Sequence, residues 1–141
     1  MTARRISAAD VHIGEKLPEL RISITAQQII SGAAATRDWQ PIHHDHEIAT
    51  KSGLRGIILN APSQAGWISK YITDWTGPYA QIKRLSFKMK DSICPQDEMN
   101  LTGEIIGKQV NGDSALITAN ITVAVGEKIK TTAEIRFNVP A

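Results

Sequence analysis

The sequence predicts an α+β protein in which an antiparallel β-sheet wraps around one long central helix. The helix prediction rests on an apolar stripe that follows Asn60 at helical spacing and ends at Gly77-Pro78. The sheet prediction rests on four long segments after Tyr79 that have strand character and are separated by turn-forming residues. A chain of 141 residues suits one domain, so residues 1–141 are expected to form a single unit.

The first half of the chain is predicted to hold one short edge strand, two helices and an ordered loop. Thr25 and Gln28 have the spacing of a capping box, in which each side chain satisfies a free amide at a helix start. Pro41 has no amide hydrogen and disfavours the helical region at Gln40, so the segment around it forms a loop. Asp45 is a suitable cap for the second helix. The predicted elements are the strand 20–24, the helices 26–35 and 46–51, and the loop 38–44.

The long helix and the strands after it have clear start and stop signals. Asn60 is a good N-cap, Pro62 suits a first helical turn, and Gly66 is expected to let neighbouring backbone approach closely. Asn111-Gly112 is the sharpest hairpin signal in the chain, and an antiparallel meander of the four strands is expected. The predicted strands are 81–90, 98–109, 114–125 and 128–139.

Composition excludes several classes of protein. A net charge of +2 is too small to indicate nucleic acid as the partner, and no apolar run reaches the roughly 18 residues of a membrane helix. The first residues lack the apolar run of a secretory signal. The single cysteine, Cys94, provides neither an intrachain disulfide nor a cysteine zinc site. A cytoplasmic protein is therefore expected.

The stretch TRDWQPIHHD, residues 36–45, is the first candidate site. Asp38 and His43 lie five residues apart across a loop stiffened by Pro41, so the two side chains can converge and hold one water for acid and base work. Alternatively, Asp38 caps the turn through its own backbone and His43 is a satisfied, half-buried histidine. Metal binding is disfavoured, because the run from His43 to His46 matches no familiar zinc spacing.

The start of the long helix could supply the other half of this site. Its first amides have no partner within the helix and lie at the positive end of the helix dipole, where they can stabilise an oxyanion. Amides near Asn60, Ala61 and Ser63 are candidates, whereas Pro62 cannot donate. The alternative is a helix start capped by Asn60 and water alone.

A local cluster of basic residues offers a third feature. Lys83, Arg84, Lys88 and Lys90 fall within one predicted strand and can form a basic strip for a phosphorylated ligand. The alternative is a solvated strand face, since only alternate residues of a strand share one side.

The order of these features resembles the MaoC-like hydratase family of hotdog-fold proteins over nearly the whole chain. The family motif is a small residue, glycine, aspartate, any residue, asparagine, proline, an aliphatic residue, histidine, any residue and an acidic residue. It corresponds here to residues 36–45. The resemblance implies a hotdog fold and implies that Asp38 and His43 bind and activate water, with the Ala61 amide as oxyanion hole. The implied reaction converts a 2-enoyl thioester into an (R)-3-hydroxyacyl thioester, or the reverse dehydration.

The sequence departs from the family pattern at a few positions. Gln40 replaces the customary asparagine and Arg37 the customary glycine, while Asn60-Ala61-Pro62 stands where a histidine-glycine-methionine type of sequence is common. The resemblance implies no metal or redox cofactor, with coenzyme A or acyl-carrier protein as part of the substrate. It also implies a homodimer or a heteromer with another hotdog subunit. The expected substrate-binding residues are Gln40, Asn60, Ser63, Lys83, Arg84 and Lys88.

Two other functions fit parts of the pattern. Other hotdog families hydrolyse acyl thioesters with a carboxylate, although the spacing from Asp38 to His43 argues against a thioesterase. A non-catalytic subunit that binds an acyl chain or completes a heteromer is the second alternative.

Overall fold

The computed structural model describes residues 5–141, and within that range it contains five strands and three α-helices. The strands are β1 Lys16–Ser23, β2 Gln81–Met89, β3 Glu98–Asn111, β4 Ser114–Val125 and β5 Lys128–Pro140. The helices are α1 Ala26–Ala35, α2 His46–Lys51 and α3 Ala61–Thr76. Each predicted element is present, although β1 begins several residues earlier than expected. No helix in the described range has the length and apolar character needed to cross a bilayer.

The five strands form one antiparallel sheet in the order β1-β3-β4-β5-β2. The edge position predicted for β1 is confirmed, and its register shifts around Pro18, which has no amide hydrogen to donate to a ladder. Short turns join β3 to β4 and β4 to β5. Gly112 and Gly126 take φ angles of 62° and 59° in these turns, the left-handed region that favours glycine. The hairpin predicted at Asn111-Gly112 is therefore confirmed.

The expected meander of all four later strands is wrong in one respect, because β2 pairs with β5 and not with β3. Residues 90–97 between β2 and β3 form a crossover whose backbone bonds to other parts of the chain. The carbonyl of Ile93 accepts from the amide of Leu59 at 2.9 Å, and the carbonyl of Asp97 accepts from the amide of Ile24 at 2.9 Å. The crossover consequently passes beside the residues that lead into α3.

The long helix α3 packs against the inner face of the sheet, as the predicted hotdog architecture requires. Ile68 and Ile72 are fully buried, and Trp75 packs edge-on against Phe137 of β5 with ring centroids 6.4 Å apart. Burying side chains of this size stabilises the fold by about 1.5–3 kcal/mol each. The inner residues of the central strands complete the core, among them Leu101, Ile105, Ile117, Ile121 and Ile135.

Close approach between helices occurs at a different glycine from the one expected. Gly66 is exposed, and a Cβ built there would meet nothing within 4 Å, so the prediction for Gly66 is wrong. At Gly32 of α1 a Cβ would lie 2.3 Å from the Oγ of Ser63 on α3. The contact between α1 and α3 therefore depends on Gly32.

Candidate active site

The loop that carries Asp38 begins where α1 ends. The hydroxyl of Thr36 donates to the carbonyl of Gly32 at 2.7 Å, and Arg37 then takes a φ of 55°. This left-handed conformation favours glycine, the residue customary at this position in the motif. The amide of Asp38 donates back to the carbonyl of Ala33 at 2.9 Å, which directs the loop across the end of α1.

His43 lies in a short 3-10 turn that begins at Pro41, and only 7% of the residue is exposed. Its Nδ1 is 2.7 Å from the carbonyl oxygen of Ile58. A carbonyl can only accept, so Nδ1 carries the hydrogen and a neutral ring presents a lone pair at Nε2. Nε2 is 3.2 Å from Oδ2 of Asp38. The backbone thus fixes the tautomer that places a proton acceptor beside the carboxylate.

Asp38 is held by the side chain of Asn60. The Nδ2 of Asn60 donates to Oδ2 of Asp38 at 3.1 Å and to the Oγ of Thr36 at 2.9 Å. The hydrogen bond from Asn60 is the largest influence that lowers the pKa of Asp38; partial burial opposes it, while the backbone amide of Gln40 and, when its ring is protonated, the charge of His43 add to it. Asp38 is therefore a carboxylate at neutral pH.

Asn60 is also the N-cap of α3 and is 2% exposed. Its Oδ1 accepts from the amide of Ser63 at 3.1 Å, so that amide is already used by the cap. Pro62 has no amide hydrogen. The amide of Ala61 forms no hydrogen bond with any residue in the range 5–141. It is the open donor at the start of the helix.

These groups line one cavity of about 430 Å³, a size typical of small-molecule sites. Asp38, His43, Asn60 and Ala61 are among its lining residues. The end of β2 and the start of the crossover, residues 89–92, also line it. The structure therefore brings the loop and the helix start, recognised separately in the sequence, to the same space.

The remaining predicted residues lie elsewhere. Gln40 is exposed outside the cavity, and its side chain points to no partner in the described part of the chain. The side chain of Ser63 lines a separate, mostly apolar groove between α1 and α3.

The basic cluster on β2 is spread over the strand. Lys83, Arg84 and Lys88 are exposed and lie outside the cavity, whereas Lys90, just after the strand, lines it. Lys88 faces outward beside Phe87, which packs against the core, whereas Lys90 lies beyond the last residue of the strand, where the chain turns into the crossover.

Three polar residues of the cavity wall, Gln64, Asp91 and Ser92, were missed by sequence reasoning. Gln64 of α3 lines the cavity and is 2% exposed. Asp91 also lines it, and hydrogen bonds from Lys128 and Lys130 hold the pKa of Asp91 well below its usual range. Gln64 lies three residues after Ala61, a helical spacing that could have identified it. No local signal reveals Asp91, because its partners come from the unforeseen pairing of β2 with β5.

Across residues 5–141, no group of three or more His, Cys, Asp or Glu side chains is placed to hold a metal ion. His44 and His46 are exposed, and Asp45 accepts from the amide of Ile48 at 3.0 Å as the cap of α2. The predicted capping role of Asp45 is therefore confirmed.

Comparison with known proteins identifies the family. Residues 9–134 match the MaoC like domain. The chain is 33% identical over 125 residues to the 3-oxo-4,17-pregnadiene-20-carboxyl-CoA hydratase beta subunit of Mycobacterium tuberculosis, and the match covers 87% of this chain and 94% of that protein. A chain of the ChsH1-ChsH2 complex from the same species superimposes with a TM-score of 0.84 at 31% identity, covering 91% of this chain and 98% of that one.

Two more distant structures share the fold. The R-hydratase PhaJ1 from Pseudomonas aeruginosa has a TM-score of 0.83 at 19% identity, over 96% of this chain and 86% of that one. The (R)-hydratase from A. caviae has a TM-score of 0.79 at 21% identity, over 92% and 98% of the two chains. The family match covers most of the chain, and the sheet wrapped around α3 agrees with it. The chain therefore belongs to the MaoC-like dehydratase family of hotdog-fold proteins.

Proposed function

We propose that this protein adds water to the double bond of a 2-enoyl thioester, either enoyl-CoA or enoyl-ACP, to give an (R)-3-hydroxyacyl thioester, or catalyses the reverse dehydration. The observation that carries the proposal is the meeting of His43, Asp38 and the open Ala61 amide in one cavity. Membership of the MaoC-like family supports the choice of hydration over thioester hydrolysis.

Water is activated by His43 and Asp38 together. Because Nδ1 of His43 donates to Ile58, its Nε2 can accept one hydrogen of a water molecule. The carboxylate of Asp38 accepts the other hydrogen and is kept ionised by Asn60. The water oxygen is then left with a lone pair for attack on the β-carbon of the substrate.

The amide of Ala61 polarises the thioester. It donates to the carbonyl oxygen, where negative charge develops as the β-carbon is attacked, and the dipole of α3 acts in the same direction. One O–H bond of water breaks as the new C–O bond forms, and the Asp38–His43 pair takes the proton. The pair then returns a proton to the α-carbon, so that one water molecule is added and the enzyme is restored. No step requires a metal or a redox cofactor.

We further propose that the chain works with a second hotdog subunit, identical or different. The similar mycobacterial protein is named as a beta subunit, and the similar solved chain belongs to a two-protein complex. Trp39, beside Asp38, is 68% exposed, and Met89 at the mouth of the cavity is 47% exposed. A partner that covers these side chains would complete the acyl pocket. Coenzyme A or acyl-carrier protein enters as the carrier, with Lys90 and the basic residues of β2 available for its phosphates.

The test is hydration by the purified chain, alone and with any copurifying partner, using crotonyl-CoA and longer or steroid-linked enoyl-CoA esters. Loss of absorbance of the enoyl band reports hydration, and thiol release reports hydrolysis. Asp38→Asn and His43→Ala should each lower hydration by roughly 10²–10⁴-fold. His44→Ala is the matched control, because His44 is exposed and lies outside the cavity.

Each outcome bears on one alternative. Thiol release without loss of the enoyl band would indicate a thioesterase. Full turnover by the complex when Asp38→Asn and His43→Ala are present in this chain would indicate a supporting, non-catalytic subunit. Either result would overturn the proposed roles of the two residues.

A further inference from the structure

Gln64 is a buried polar residue of the cavity that the activation of water leaves unused. Its Oε1 accepts from the hydroxyl of Thr131 on β5 at 2.6 Å. Its Nε2 has only the thioether sulfur of Met89 as a partner, at 3.4 Å. Gln64 is 2% exposed and Thr131 is completely buried, so the contact between them belongs to the interior of the protein.

The orientation of the Gln64 amide group is fixed by its two neighbours. At 2.6 Å the Thr131 hydroxyl is a good donor to a carbonyl oxygen. The reversed orientation would place Oε1 against the sulfur of Met89, which has no hydrogen to donate. The NH₂ group of Gln64 therefore faces Met89 and the cavity.

The NH₂ group has more hydrogen-bonding capacity than it uses. It offers two donors, and its one partner among the described residues is a thioether, a weak acceptor. A buried donor without a good acceptor is costly, whereas a ligand oxygen in the same place would remove that cost. Met89 is half-exposed and flexible enough to move aside for such a ligand.

Helix geometry directs Gln64 toward the reaction site. Side chains on a helix lean toward its N-terminus, and residues three apart share a face. Gln64 therefore extends back over the first turn of α3, on the side of Ala61, in agreement with their shared cavity. A donor at this place meets the acyl part of a thioester whose carbonyl is held at Ala61.

The sheet supports this wall with an irregularity. The pairing of β4 with β5 shifts between Val123 and Ala124, so that Lys130 is an extra residue in β5. Lys130 and Thr131 are consequently both buried, although successive strand residues normally face opposite sides. Lys130 binds Asp91 at 2.8 Å while Thr131 binds Gln64, and both of these partners line the cavity.

We propose that Gln64 is a specificity-determining residue whose Nε2–H binds an acceptor oxygen on the acyl group. The cavity then selects acyl groups that carry an ether, hydroxyl or keto oxygen at one position in the chain. The proposal rests on the proposed function in one respect, that the ligand is an acyl thioester. It does not depend on turnover.

The test is calorimetric titration of the full chain, in the assembly in which it purifies, with octanoyl-CoA and three isosteres. In these isosteres an ether oxygen replaces the methylene group at C5, C6 or C7. Because the isosteres have the same composition, the cost of dehydrating the oxygen cancels between them. We expect one isostere to bind roughly tenfold more tightly than the other two, as one hydrogen bond predicts.

Variants separate recognition from a purely structural role. Gln64→Leu should remove the difference among the isosteres, and Thr131→Val should reduce it, because the amide group would no longer be oriented. Gln27→Leu, an exposed position on α1, is the matched control and should retain the difference. A structural role for Gln64 would weaken the binding of all four thioesters equally.

Equal binding of the three isosteres by the unmodified protein would overturn the proposal, as would a difference that persists in Gln64→Leu. Saturated thioesters cannot be hydrated, so failure of the proposed reaction would appear separately, as the absence of turnover with enoyl-CoA esters.

Discussion

At the scale of single residues, Asn60 links the start of α3 to Asp38 and His43, the pair that we propose activates water. Its Oδ1 caps the helix through Ser63, and its Nδ2 donates to Asp38 and to Thr36. This residue stands where the family commonly has histidine. One side chain therefore sets both the position of the helix amides and the charge state of the carboxylate.

Asn60→Ser should move the acidic limb of the pH profile to higher pH. Serine still caps the helix, but it cannot donate an amide hydrogen to Asp38. The pKa of Asp38 would rise toward its ordinary value, so the active carboxylate would be lost at a higher pH as the pH falls. The measurement is kcat/KM for hydration against pH.

Thr36→Val provides the control for Asn60→Ser, because it removes the other acceptor of Nδ2 and leaves the bond to Asp38 in place. Its acidic limb should stay close to that of the unmodified protein. An unchanged limb in Asn60→Ser would show that Asn60 does not set the protonation of Asp38.

At the scale of elements, the contact of α1 with α3 holds the loop that carries Asp38 against the helix start. Gly32 lies at this contact, and a Cβ there would lie 2.3 Å from the Oγ of Ser63, so that this hydroxyl would have to move. The Oγ of Ser63 is buried and has no hydrogen-bond partner within the described residues. Close packing, not hydrogen bonding, therefore sets the distance between these helices.

Gly32→Ala should change the free energy of unfolding less favourably, by about 1 kcal/mol, when Ser63 is present than when Ser63 is replaced by alanine. Alanine favours the helix over glycine by about 1 kcal/mol, but here the new methyl group meets the Ser63 oxygen. Urea unfolding of the two single variants and the double variant measures this coupling. Additive effects would contradict the close contact.

The crossover between β2 and β3 contains an ion pair in which the carboxylate is buried and the guanidinium group is exposed. Asp97 is 9% exposed and accepts from both terminal nitrogens of Arg55, at 3.2 and 2.7 Å, and from the amide of Cys94 at 2.9 Å. The Arg55 side chain, by contrast, is 59% exposed. The carboxylate thus closes the turn, and the guanidinium group only supports it from the solvent side.

Asp97→Ala should lower the free energy of unfolding by about 2–3 kcal/mol, because it leaves the Cys94 amide without its acceptor. Arg55→Gln should cost about 1 kcal/mol or less, as is usual for an exposed ion-pair partner. Chemical denaturation of both variants measures whether Asp97→Ala loses more unfolding free energy than Arg55→Gln. Equal losses in the two variants would assign the stabilisation to the ion pair alone.

At the scale of the whole molecule, depressed carboxyl pKa values tie stability to pH. The pKa of Asp91 is lowered by Lys128 and Lys130. Burial acts to raise the pKa of Asp97, but the hydrogen bonds from Arg55 and from the Cys94 amide, with the nearby positive charges, lower it overall. Carboxyl groups of the unfolded chain take up protons near pH 4, before these two do in the folded protein. Their contribution to stability is therefore complete above that range and is lost as the pH falls below it.

Asp91→Asn should make the protein less stable at pH 7 and less sensitive to acid. The amide keeps the shape of the carboxyl group but forms no ion pair with the two lysines, and it has no proton to gain as the pH falls. Melting temperatures between pH 7 and pH 3 measure both effects. Asp113→Asn is the control at an exposed turn and should retain the acid sensitivity of the unmodified protein.

Local signals were sufficient for most of the elements. The capping box at Thr25, the cap at Asn60 and the turn at Gly112 each act over a few residues, and each element lies where they predict. Asp38 and His43 were recognised because they are close in sequence and Pro41 stiffens the loop between them. Gly32 and Gln64 were not, because their significance depends on neighbours from other elements.

The sequence by itself determined the class of fold, the bounds of the helices and the residues of the Asp38 loop, because periodicity, caps and prolines act on the backbone locally. Only the tertiary structure decided that β2 lies beside β5, and that Gln64 and Asp91 line the same cavity as His43. Strand partners and cavity walls come from contacts between residues far apart in the chain, which the packing of the sheet around α3 selects as a whole.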